Sequence, residues 1–190
     1  MGYMWVDTST SVGAGGTVYP YFPPQTPPGS GFNSFTDTSG EVWVSRNGSA
    51  WKRARDGLHC RVYRNAAFTT QTSLVAFQFD TVVSDPYAMY NVNGNFTAPV
   101  AGIYQFHAVI SWGGNTGAVG MALDGFGWSP NQGAPVVQDL FGQWRASLVE
   151  VVSLGATGTT RVDFACQSGG VAGAPGQQTC YATMDYLGTG

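Results

Sequence analysis

At about 100–200 residues per domain, a chain of 190 residues holds one domain, or one domain with an appendage. Charged residues are 10% of it, net charge is −3 and the only lysine is Lys52, yet 43% is hydrophobic and 14% aromatic. Those proportions exclude a disordered chain, which lacks apolar mass, and a coiled coil, which needs charged pairs and heptads.

No apolar run reaches the roughly 18 residues of a membrane span. The opening MGYMWVDTSTS lacks the basic and apolar regions of a signal peptide. The expectation is a chain assembled in a cytoplasm with no membrane partner. Three cysteines cannot all pair within one chain. Cys166 and Cys180 could join and leave Cys60 free; no C-x-x-C occurs, which argues against a zinc ribbon, and the expected state is three small, reduced core residues.

Residues 1–40 hold five of the ten prolines and two charges, Asp7 and Asp37. Proline fixes φ and removes a donor, so an extended arm without regular structure is predicted over 1–40. Its aromatics, among them Trp5, Tyr19, Tyr21 and Phe22, are costly to leave in water and point to anchoring on another protein.

Residues 41–57 read as a short β-hairpin connector. Val42-Trp43-Val44 is a strand, Asn47-Gly48 the turn and Trp51 lies on the return. Six of the eight basic residues fall between Arg46 and Arg64. They form either a binding surface or a solvated face; the net negative charge and the lack of a long basic stripe argue against nucleic acid.

From 58 to 190 the chain runs through short strand-like segments separated by Gly, Pro, Asn and Asp: LHCRVYRNAAF, SLVAFQF, GIYQFHAVISW, GAVGMALDG, PVVQDLF, RASLVEVVSL, TTRVDFACQ and QTCYATMDYLG. None holds a helical period. The predicted fold class is all-β, a two-sheet jelly-roll sandwich preceded by the proline-rich arm. Alternation from Ile103 puts Tyr104, Phe106, Ala108 and Ile110 on a core face, and Gln105, His107 and Val109 on a second face that carries no formal charge. Such a face points to burial against another subunit.

One stretch is more specific than the rest. Phe79-Asp80 precedes an aromatic loop, and Phe96-Thr97-Ala98-Pro99, Gly102, Tyr104 and Phe106 follow in order. This pattern resembles the globular head of the complement component one-q family, a branch of the tumour-necrosis-factor-like jelly rolls. The closing YATMDYLG resembles the last strand of that head. The resemblance covers roughly residues 58–190 and implies a homotrimer, with Gln105, His107 and Val109 toward the threefold axis. A calcium site occurs in some members, but here Leu154 is followed by Gly155-Ala156-Thr157-Gly158, with no acid at that turn.

Catalytic groups are scarce. His59 and Cys60 are adjacent on a predicted strand and point to opposite faces; no G-x-S-x-G, H-E-x-x-H or phosphate loop occurs. A non-enzyme without metal or cofactor is expected. Tyr87 and Tyr90, beside Asp85 and Asn91, are candidate exposed contacts, followed by Phe126 and Trp128 beside Asp124. Flat aromatic faces suit sugar rings and protein surfaces alike. Low charge, an anchoring arm and a trimeric head together describe a bacteriophage virion protein. The expectation is that its arm engages other virion proteins and that its head meets a host-surface glycan or protein, as a tail-tip or fibre receptor-binding module. A capsid decoration protein and a secreted ligand-like or lectin-like module are the alternatives.

Overall fold

A computed structural model describes residues 29–37, 39–113, 119–123, 136–138, 143–166 and 172–189. The chain divides into a unit ending at Leu58 and a unit from His59 to Gly188.

The first unit is a three-stranded sheet, β1 (Phe32–Thr36), β2 (Val42–Arg46) and β3 (Lys52–Arg53), followed by the single helical turn α1 (Ala54–Gly57). The Asn47-Gly48 signal holds: both residues have positive φ, at 52° and 74°, and the Ser49 N–H donates to the Arg46 carbonyl at 3.0 Å. Antiparallel pairing sets Phe35 opposite Trp43. Phe35 stacks on Trp43 at 6.3 Å and meets Trp51 edge-on at 5.0 Å. The expectation that residues 1–40 lack regular structure is therefore corrected for 32–36. Phe32 and Phe35 flank polar residues in FNSFT, and pairing with β2 outweighs the proline-rich stretch before them. The arm residues Trp5, Tyr19, Tyr21 and Phe22 lie outside the described residues.

The second unit is a sandwich. Its six-stranded sheet runs in the order β10 (Val136–Gln138), β11 (Gln143–Leu154), β8 (Gly102–Gly113), β13 (Tyr181–Gly188), β4 (His59–Tyr63) and β6 (Thr81–Ser84). The other sheet centres on β12 (Thr159–Cys166), which pairs with β5 (Val75–Ala76), β7 (Asn95–Thr97) and β9 (Val119–Leu123). The predicted two-sheet all-β architecture is observed.

The core face read along β8 is observed: Tyr104, Phe106, Ala108, Ile110 and Trp112 are all completely buried, and the alternation in burial runs as far as His107 before Val109 and Ser111 are buried as well. They meet the second sheet through aromatic edges. Phe106 and Phe96 pack at 5.4 Å in a T, and Trp112 and Phe164 at 5.4 Å. From β13 come Ala182 and Met184, from β4 Cys60 and Val62, all buried. The three cysteines are free and buried, with Cys166 and Cys180 in strands or flanks of different sheets. Burial pushes the Cys180 thiol up to about 11 and raises that of Cys60 further, the latter helped by the charges of Asp85 and Asp185.

The Phe-Asp pair of the sequence pattern has two different jobs. Phe79 is core. Asp80 accepts the N–H groups of Asn65 at 2.8 Å and Ala66 at 2.7 Å, takes the Thr81 hydroxyl at 2.8 Å, and pairs with Arg64 at 3.5 Å. Partial burial pushes its pKa upward, but these hydrogen bonds and the Arg64 charge hold the carboxyl below its ordinary value. A carboxylate depressed in the folded state adds stability that is present above the unfolded pKa and lost as pH falls through the folded one. Asp80→Asn should therefore lower Tm at pH 7, and the variant should lose less Tm than wild type between pH 7 and about 3, below the ordinary aspartate value of 3.8. Parallel acid losses in the two proteins would refute this role.

Candidate interaction face

The second face of the six-stranded sheet is assembled row by row across four strands. In one row Val149 of β11 faces His107, His107 faces Thr183, and Thr183 faces Arg61 of β4. The next row along the strands runs Val151, Gln105, Asp185, His59; on the other side lies Ser147, Val109, Tyr181, Tyr63. Directly opposed side chains share one side of the sheet, so these rows define a single surface.

That surface has two halves. The β11 and β8 half carries no Asp, Glu, Lys or Arg over these rows, and Val149 and Val151 are 59% and 55% exposed. The β13 and β4 half carries the charges. Tyr181 links the halves: its ring meets His107 edge-on at 5.4 Å, and the Arg61 guanidinium lies 5.5 Å above it. Gln105 and His107 are half-buried within the single chain. Val109 is corrected. It is only 5% exposed, closed over by its own neighbours, and has almost no area left to give a partner. Sequence reading missed Val149, Val151 and Arg61. The available signal was Leu148-Val149-Glu150-Val151-Val152, a strand apolar on both sides of its alternation, as a strand covered on both faces must be.

Tyr87 and Tyr90 are also corrected as exposed contacts. The Asp85 carboxylate accepts the N–H groups of Met89 at 2.7 Å and Tyr90 at 2.9 Å, and Ala88, just before them, has φ 53°. This turns the loop inward. Tyr87 is 7% exposed. The Tyr90 hydroxyl accepts the Phe79 N–H at 2.8 Å and donates to the Phe79 carbonyl at 2.7 Å, and burial pushes its pKa up to about 12. The residue that does project there is Val92, 86% exposed, at the tip of a turn held by the Asn91 side chain. Phe126 and Trp128 lie outside the described residues.

A hollow of about 160 Å³ is lined by Arg64, Phe68, Phe77, Gln78 and Phe164, below the 300–1,000 Å³ or so of ordinary ligand sites. Arg64 in its wall already serves Asp80 and the Ala66 and Gln78 carbonyls. Among the described residues no group of three His, Cys, Asp or Glu side chains is placed to hold a metal ion, and no helix is long and apolar enough to cross a membrane.

No protein-family model and no curated protein matches the chain. Solved structures do. Eiger TNF from S. frugiperda is 9% identical, covering 70% of this chain and 94% of that one, with a TM-score of 0.51. The globular domain of zebrafish complement 1qA is 16% identical over 68% of this chain and 95% of its own, with a TM-score of 0.47. Murine APRIL at pH 8.5 is 9% identical over 68% and 98%, with a TM-score of 0.48. The Eiger match carries the assignment: the second unit has a TNF-like jelly-roll fold.

Proposed function

We propose that this chain is a non-enzymatic, homotrimeric binding module of a bacteriophage particle, anchored through its N-terminal segment and displaying the jelly roll toward the host surface. The carrying observation is the uncovered half-face of the six-stranded sheet, where Val149 and Val151 stand open beside His107 and Gln105. Apolar surface of this kind is stabilised by removal from water at about 25 cal/mol per Å². The virion reading is supported by composition: a charge-poor chain with one lysine and a proline- and aromatic-rich N-terminal stretch.

Sedimentation of the full chain should give a trimer at neutral pH. Val149→Lys/Val151→Lys places two charges in the proposed contact and should yield a folded monomer. A monomeric wild type refutes the assembly. In purified particles, antibodies to the jelly roll should label the tail tip. Shell labelling would move the assignment to capsid decoration, and absence from particles would remove the virion reading.

A further inference from the structure

Beyond the three-residue β10, the β11 edge of the six-stranded sheet is open among the described residues. β10 pairs with β11 only from Trp144 to Ala146, so among the described residues Ser147–Leu154 have no strand on the side away from β8. This segment is apolar on both faces: Val149 and Val151 are exposed on one, and Leu148, Val152 and Leu154 are half-buried on the other. A long apolar edge invites another chain unless it is covered. Its single charge is Glu150, exposed, and with no hydrogen bond or ion pair among the described residues.

The complement lies toward the opposite end of the same sheet. Arg61 on β4 stacks over Tyr181, and its Nε is buried without a hydrogen-bond partner. The other arginines of this unit are engaged: Arg64 pairs with Asp80, Arg161 with Asp163 at 2.9 Å, and Arg145 donates to the Ser111 hydroxyl at 3.3 Å. Asp185, the acid on Arg61's own face, lies opposite His59 and makes no ion pair with Arg61 among the described residues.

We propose that Glu150 of one protomer pairs with Arg61 of the next, so that the β11 edge of each copy docks on the β4–β13 end of its neighbour's sheet. This rests on the homotrimer reading and names its contact. A twofold contact of β11 against β11 would set Glu150 beside its own copy and leave both Arg61 side chains without a carboxylate. A head-to-tail contact uses each edge once and each face once, satisfies both charges at every junction and closes into a ring. It also brings Val149 and Val151 out of water.

The test is sedimentation velocity of the full chain over a concentration series. Glu150→Arg and Arg61→Glu should each raise the trimer dissociation constant on the order of tenfold or more, and the double exchange should return it to within about threefold of wild type. Glu150 is exposed, so Glu150→Arg leaves the fold untouched, as circular dichroism will report. Glu150→Gln, which keeps the shape, should remove most of the salt sensitivity of association. If the single variants associate as wild type does, or the double exchange is no better than either, the pairing is wrong while the trimer stands. A monomeric wild type overturns both.

Discussion

Phe96→Ala is expected to destabilise the second unit by about 4 kcal/mol and to lower Tm by roughly 12 °C. Phe96 is fully buried on β7, a strand of only three residues, Asn95–Thr97. Its ring meets Tyr90 at 4.9 Å, Phe106 at 5.4 Å and Phe79 at 6.4 Å. Loss of the ring leaves a cavity that three other aromatics cannot close, because each is pinned: Tyr90 and Phe79 by the two hydrogen bonds between them, Phe106 by the middle of β8. Phe96→Leu keeps most of the volume and should cost about a third as much. Thermal or urea unfolding of the three proteins measures this directly, and equal losses for the two variants would show that the site relaxes.

Gly102→Ala is the second large effect, about 3 kcal/mol, from adding one methyl group. A Cβ at Gly102 would press on the Tyr186 ring and stand 2.6 Å from the Gly188 carbonyl oxygen. Neither gives way easily. Tyr186 is buried, and Gly188 is held in the pairing of β13 with β8 opposite Ile103. Gly113 at the other end of the same strand is the control, since among the described residues a Cβ there meets only the Ala172 carbonyl oxygen at 3.7 Å. Gly113→Ala should fall within about 0.5 kcal/mol of wild type. Equal effects at the two glycines would refute the steric account.

The order Phe79, Phe96, Gly102, Tyr104, Phe106 was legible because each residue obeys a local rule: alternation along a strand, or a site too tight for a side chain. The Asn47-Gly48 hairpin was legible for the same reason. Tyr87 and Tyr90 were misread because a tyrosine has no local sign of where its hydroxyl goes. The Tyr90 hydroxyl is satisfied by the backbone of Phe79, eleven residues away, and Asp85 folds the loop to bring it there. The candidate face was half legible. Alternation along β8 gave Gln105 and His107, but which strands flank β8 is a matter of long-range pairing. Val149 reaches His107 only because β11 lies beside β8, and Arg61 joins the same row through β13. Val109 failed for a related reason: its neighbours across the sheet, Ser147 and Tyr181, lie far from it in the chain.

The first and last strands of the second unit lie side by side, with His59 beside Asp185 and Tyr63 beside Tyr181. The chain therefore enters and leaves this unit at one end. A mechanical load that draws His59 away from Gly188 does not shear the two strands past each other. It acts along the antiparallel hydrogen bonds, which run across the strands, and opens them pair by pair like a zipper. Little force is needed to begin, and β4 peels away before the β8–β11 pairing is strained. A load applied between His59 and the opposite end of β13 acts in shear, on all those pairs at once. The unit is therefore mechanically anisotropic, soft to separation of its own termini and stiff along its strands.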